Sequence, residues 1–318
     1  HYYKLLGVFA GVTLIGYLYD RYNMKQLKER ELDEYDIVRK HLLGEKTLHL
    51  EQYKPTIWVH ISYERNSRNW SSFYSRNSND INIPYVYSVL SNLIKYCSFD
   101  FNVCFVNDSS FKRLLPNWNH DLSKVSGPSQ YLLRELGMSK ILHMYGGMKL
   151  NTNCLVTNEL KTLYDTMLSE KDMFVGELKT EGVLFSKMQT FPSHHIMGCK
   201  KNSVVMKNYC DYLSNMIGRD YTDESRFSGE LDKKLHTYIT NKECELIPAH
   251  LLGVVDGENK LVDVDRLMDN QFIPLNMNMK MLYVDLEHIK SRTKYGWFLR
   301  QSKEQILENK NVIAEFIL

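Results

Sequence analysis

The sequence contains no C-x-x-C pair, no H-E-x-x-H, no glycine-rich phosphate loop, no Ser-His-Asp order and no marked excess of charge. Each absence closes a class. Without paired cysteine spacing, the six cysteines (Cys97, Cys104, Cys154, Cys199, Cys210 and Cys244), several of them inside apolar runs such as FNVCFV, read as buried free thiols. A disulfide framework or a structural zinc site would need them grouped. Forty basic against 38 acidic residues leave a formal charge of +2, too balanced for a nucleic-acid groove or a polybasic membrane patch. There is no internal repeat and no low-complexity tract. What is present, 318 residues of which 43% are hydrophobic, is enough for one large packed domain or two small ones.

Leu5 to Tyr19, LLGVFAGVTLIGYLY, carries no charge and is flanked by Lys4 and by Asp20-Arg21, with Tyr2, Tyr3, Tyr17 and Tyr19 at the ends. With its flanking tyrosines it approaches the ~20 residues that span a bilayer, and aromatic residues favour the interface. A transmembrane helix over residues 1–20 is expected. A buried core helix and a signal-peptide hydrophobic region are the alternatives. Gly7 and Gly11, four apart, would share a face open to close helix contact, although glycines are common in membrane helices anyway. Lys4 stands alone before the span, whereas Arg21, Lys25, Lys28 and Arg30 follow it, so the positive-inside rule puts the C-terminal part in the cytosol or the mitochondrial matrix. A chain starting at His1 fits presequence removal, hence an expected place in the mitochondrial inner membrane facing the matrix, with a Golgi or ER membrane as the alternative.

Residues 21–53 are charged, rich in helix formers and mostly free of breakers, and read as a helical stalk. Residues 54–318 form the expected α/β domain. KPTIWVHI (54–61) and FNVCFV (101–106) are buried strands, IPYVYSVLSNLIKYC and Leu132–Tyr145 are helices, and Gly146-Gly147 is a helix stop. Beyond them MFVGE, GVLF and CELIPAHLLGVV read as strands, VVMKNYCDYLSNMI as a helix, and KEQILENKNVIAEFIL as a tail docking a last helix.

The stretch LHMYGG followed by Met148, Lys149, Leu150, Asn151, Thr152 and Asn153 resembles the G-G-x-Y-x-D-x-D signature of DxD-containing glycosyltransferases, the mannosyltransferase-like family of GT-A fold. The resemblance covers roughly residues 54–160, with FSGELDKKL a faint match to a downstream T-G-P element. It implies a mixed sheet flanked by helices, with paired aspartates holding a divalent metal that bridges the phosphates of a nucleotide-sugar donor. Here Asn151 and Asn153 keep the spacing and lose both charges, and Lys149 replaces the tyrosine. The family's S-D-x-x-R falls on Arg134, Glu135, Leu136, Gly137 and Met138, so acidic character survives at Glu135 and the arginine position is Met138. Gly146 and Gly147 persist.

Other constellations are weaker. Asp263 and Asp265 form an isolated D-V-D, read as a solvated turn or strand end. His194, His195 and Cys199 lack a fourth metal ligand at a recognised spacing, and His250 reads as an ordinary histidine near the core. Asn69-Trp70-Ser71 and Asn107-Asp108-Ser109 match the glycosylation pattern, which would contradict the charge-based orientation. The expectation is a membrane-anchored, glycosyltransferase-like protein without cofactor, catalytically degenerate, serving other subunits of a membrane assembly. The alternative is an active secretory-pathway transferase using a nucleotide sugar and Mn²⁺ or Mg²⁺, with Glu135, Lys149 and His250 taking over the charge work.

Overall fold

The computed structural model describes residues 16–19, 21–22, 51, 53–61, 83–179, 190–217, 224–309 and 311–317. The chain divides into His1–His41 and Leu42–Leu318. In the first unit a helix covers residues 16–19 and 21–22, with Tyr17, Leu18, Tyr19 and Tyr22 exposed. Among the described residues no helix is long and apolar enough to cross a membrane. Residues 1–15 of the expected span, with Gly7 and Gly11, and nearly all of the stalk lie outside the described residues, as do GVLF and Asn69.

The second unit is a mixed α/β domain. In chain order its elements are β1 (Thr56–His60), α1 (Pro84–Cys97), β2 (Asn102–Val106), α2 (Ser110–Leu114), α3 (Pro128–Tyr145), β3 (Gly147–Leu150), β4 (Cys154–Val156), α4 (Lys161–Met167), β5 (Met173–Lys179) and β6 (Thr190–Cys199). There follow α5 (Val204–Met216), α6 (Glu224–Thr240), β7 (Glu245–Ile247), α7 (Val264–Leu267), β8 (Met281–Tyr283), α8 (Leu286–Ser291), α9 (Lys303–Glu308) and α10 (Val312–Ile317). Six strands form one sheet in the order β2-β1-β3-β6-β5-β7, and β4 pairs with β8 in a second, two-stranded sheet.

β2, β1 and β3 are parallel, β6 is antiparallel to both β3 and β5, and β7 is parallel to β5. TIWVH is buried along nearly its whole length, as a strand covered on both faces requires. The neighbours of β1 lie on opposite sides: the chain goes first to β2 and later to β3. The crevice beyond the carboxyl ends of β1 and β3 is therefore the switch point where α/β sheets place ligands. Between α3 and β3 the glycine pair makes the turn. Gly146 (φ 73°) ends the helix, its N–H bonding to the Leu142 carbonyl. Gly147 (φ 103°) lies so close to β1 that a Cβ would sit 2.1 Å from the Thr56 carbonyl oxygen.

The core lies between the sheet and α3, α5 and α6, with Trp58, Met138, Leu142, Met197, Tyr209, Leu213 and Leu235 in one cluster. Four stretches singled out in the sequence take definite form here, and for two of them, the late strand and the tail, the expectation needs correcting. CELIPAHLLGVV is a strand only over Glu245–Ile247, because Pro248 supplies no N–H and Ala249–Leu252 winds into a 3₁₀ turn. FSGELDKKL lies within the helix α6. The tail forms two short helices, α9 and α10. FPSHHIMGC, weighed for metal binding, is most of the ten-residue β6. Its Pro192 pairs with Glu177 of β5 but lies beyond the Met197–Cys199 stretch that β3 pairs with, so it sits where β6 has a neighbour on one side only, as an edge strand does.

Candidate functional site

β3 delivers Asn151 to the switch-point end of the sheet, and a tight turn follows before β4. Asn151 Oδ1 accepts the backbone N–H of Asn153 at 3.2 Å and the Cys154 thiol at 3.3 Å. This is an Asx turn, in which a side-chain carbonyl holds the backbone two residues on. Both amides point at one phenol from β8. Asn153 Nδ2 donates to Tyr283 Oη at 3.1 Å, and Asn151 Nδ2 makes a longer 3.5 Å contact with it. Burial drives the Tyr283 pKa far above its ordinary value, so the phenol stays neutral. A divalent cation of the hard type prefers anionic oxygens, and two neutral amides already spent on a turn and a phenol do not fit one.

Lys149 is 4% exposed. Its ammonium is ion-paired with Glu135 on α3 and donates to the His194 carbonyl at 3.0 Å. It therefore neither reaches solvent nor offers its charge to an anion. Met138, one turn further along α3, is 1% exposed and belongs to the core. Both of these departures from the signature are thus turned inward.

Behind Lys149 the polar network continues. His194 on β6 is 1% exposed and its Nδ1 meets Asp232 Oδ1 of α6 at 2.6 Å, while its backbone N–H donates to the same oxygen at 3.1 Å. Its Nε2 lies 2.9 Å from the Tyr131 hydroxyl. Burial works against a charged His194, but the Asp232 carboxylate outweighs it and raises the pKa. The neighbouring His195 goes the other way: burial first, then His194 and Lys149, hold its pKa well below the ordinary value. The shifts of the adjacent imidazoles thus run in opposite directions, towards the cation for His194 and towards the neutral ring for His195. Cys199, grouped with them by sequence, is fully buried and its thiol donates to the Leu142 carbonyl at 3.3 Å.

A third group sits at the carboxyl ends of β1 and β2. Asp108 receives Arg134 in a two-bond fork at 2.9 and 2.8 Å and lies 2.9 Å from His60 Nε2. Burial opposes ionisation of Asp108, but the bonds from His60 and Arg134 prevail and hold its carboxyl well below the usual carboxylate range. The His60 ring stacks on Phe111 at 5.6 Å.

Beside the Asn151–Asn153 turn, with Tyr283 as the shared wall, opens a cleft with ≈ 570 Å³ of empty space including its mouth. Ser193, His195, Asp232, Asp263, Asp285 and His288 line it, with Leu178, Val262, Val264 and Leu267 supplying apolar surface. Asp263 also caps α7 through the Arg266 N–H, and its sequence partner Asp265 is occupied elsewhere, by Arg292 and the Tyr295 hydroxyl at 2.7 Å. His250 lies on the Ala249–Leu252 turn and is not part of the cleft wall. Among the described residues no group of three or more His, Cys, Asp or Glu is arranged to hold a metal ion. Asp232, Tyr283, Asp285 and His288 carried no sequence signal: Asn153 and Tyr283 are 130 residues apart and meet only because β4 pairs with β8.

No family model matches the sequence, and no curated protein matches it. Among solved structures, a glycosyltransferase involved in the glycosylation of the major capsid of PBCV-1 is similar with a TM-score of 0.36 at 9% identity, over 63% of this chain and 86% of that one. PaToxG glycosyltransferase is similar at 0.31 and 11% identity, over 69% and 78%. Mouse xyloside xylosyltransferase 1 is similar at 0.34 and 10%, over 62% and 86%. These likenesses are too distant to carry a conclusion about chemistry or fold.

Proposed function

We propose that the chain is a membrane-anchored protein whose α/β domain has the frame of a DxD glycosyltransferase without its donor and metal site, and that it serves as an accessory subunit of a membrane protein assembly. One observation carries the loss of the donor site: the motif's amide donors and its one cation are engaged from within. Asn151 and Asn153 are held by their own turn and Tyr283, and Lys149 is neutralised by Glu135. Leaving-group stabilisation in nucleotide-sugar chemistry needs positive charge facing the diphosphate. Here the one motif cation is spent internally.

The charge asymmetry around residues 1–20 supports anchoring with the domain on the cytosolic or matrix side, the mitochondrial inner membrane being our proposed compartment. The alternative, an active nucleotide-sugar-dependent transferase of the secretory pathway, draws on the cleft beside Tyr283, where Asp232 and the neutral His195 would be the groups available for acid–base work. Calorimetric titration of the full chain with UDP, GDP and their hexose conjugates, with and without Mn²⁺, separates the two. The proposal expects no saturable heat; micromolar binding of any of them would support the enzyme.

A further inference from the structure

Seven large apolar side chains are exposed among the described residues of the domain, and five of them gather at or beside one end, where the parallel strands begin. Asn102, the first residue of β2, accepts the Glu51 N–H on its Oδ1 at 3.0 Å and donates to the Lys54 carbonyl at 2.9 Å. These bonds set Tyr53, 96% exposed, beside the start of the sheet. α1 leads back to the start of β2, so its last turn and the loop that follows bring exposed Tyr96 and Phe99 to the same place. β6 ends at Cys199 against Gly147 and Met173, the first residues of β3 and β5, and exposed Val204 opens α5 five residues later. Tyr96 also lines a groove with ≈ 690 Å³ of empty space including its mouth, shared with Val156, Met279, Phe316 and Met277, the last 95% exposed. Single apolar side chains on a surface need no explanation, but their gathering at one end does.

The five side chains come from four separate segments of the chain and stand out singly. A shaped protein partner is met by a contiguous, closely packed patch, whereas the fluid interface of a bilayer accepts separate anchors and favours aromatic ones. Lysines stand among them, with apolar stems that can lie along such a surface while the ammonium stays at the headgroups. Lys54 pairs with Glu51 and Lys200 with Asp172, so attraction to anionic headgroups is weak here and burial of the apolar groups is the driving force. The stretch that follows the expected span enters the domain at this same end, through Tyr53 and Lys54. We propose that this end is a membrane-contact face, from which Tyr53, Tyr96, Phe99, Val204 and Met277 enter the interfacial layer of a lipid bilayer, neutral lipid being sufficient. The proposal rests on the anchored reading of the chain: it says which face the domain turns to the bilayer.

Fluorescence quenching of the full chain in phosphatidylcholine vesicles with brominated acyl chains tests it. The native thiols are buried, so one fluorophore can be placed on Phe99→Cys, on Met277→Cys or, as reference, on Trp297→Cys. Trp297 is exposed towards the opposite end of α1: it adjoins Phe298, whose ring lies 5.5 Å from that of Tyr85 in the first turn of that helix. The expected result is quenching at positions 99 and 277 at least threefold that at 297, unchanged in molar salt, and at least halved at 99 by Tyr53→Ser with Val204→Ser. Quenching at 99 and 277 no greater than at 297, the outcome for a face that meets a protein subunit or water, would overturn it, as would loss of the quenching in molar salt. Release of the chain from the vesicles by alkaline carbonate would instead strike at the anchored reading, so the two failures are separable.

Discussion

Lys149 gives up its hydration on entering the domain, and Glu135 together with the His194 carbonyl replaces it. Removing one member of a buried pair leaves the other charge uncompensated, at a cost of about 3–5 kcal/mol, whereas replacing both with apolar groups is close to neutral. Lys149→Met is thus expected to lower stability to urea by that amount, and Lys149→Met with Glu135→Leu to recover most of it. Equal loss in single and double variants would mean the pair is not coupled. Two further residues give opposite pH signatures. The folded pKa of His194 is raised, so its contribution is fully present below about pH 6.5 and is lost as pH rises through the folded value. The folded pKa of Asp108 is depressed, so its contribution is present above about pH 4 and is lost as pH falls towards the folded value. Urea midpoints measured from pH 3 to pH 9 should show Asp232→Asn losing its handicap at the alkaline end and Asp108→Asn losing its handicap at the acid end.

At the scale of elements, much of the site's frame was legible. β1, α1, β2, α3 and the glycine turn follow from runs of buried β-formers, helical spacing and a glycine stop, all local signals. β6 was not legible, because Pro192 and two adjacent histidines break the pattern of a buried strand, and it is the absence of β3 beside Pro192, where β6 pairs with β5 alone, that makes the proline acceptable. The His194–Asp232 contact joins β6 to α6 across 38 residues and leaves no trace in spacing. Lys149 on its own reads as a solvated or phosphate-facing cation; its buried partner is what reverses that reading. Gly147 is the element-scale test. Its positive φ and the 2.1 Å approach to Thr56 predict that Gly147→Ala costs on the order of 3 kcal/mol or more, read as a shift in the denaturation midpoint. A neutral substitution there would mean that β1 and β3 are not packed as described.

Over the whole molecule, the six cysteines are free and buried. Burial pushes the Cys97, Cys104, Cys154, Cys210 and Cys244 thiols up to about 12. Thiolates are the reactive form, so the native chain should leave all six unmodified by a water-soluble disulfide reagent and release six equivalents on denaturation. Fast labelling of any one in the native state would place a cysteine at the surface. The same inward turn of chemistry marks the motif. Its glycines shape the sheet, its asparagines close a turn, and its lysine is buried against a glutamate.

The most direct test of the central claim is calorimetric titration of Mn²⁺, in the presence of UDP and then of GDP, into the wild-type chain and into the Asn151→Asp/Asn153→Asp variant side by side. The account predicts no saturable binding by the wild type and measurable, weaker-than-micromolar binding by the variant, because the carboxylates return to a preserved turn while Lys149 stays locked by Glu135. Micromolar binding by the wild type would contradict it.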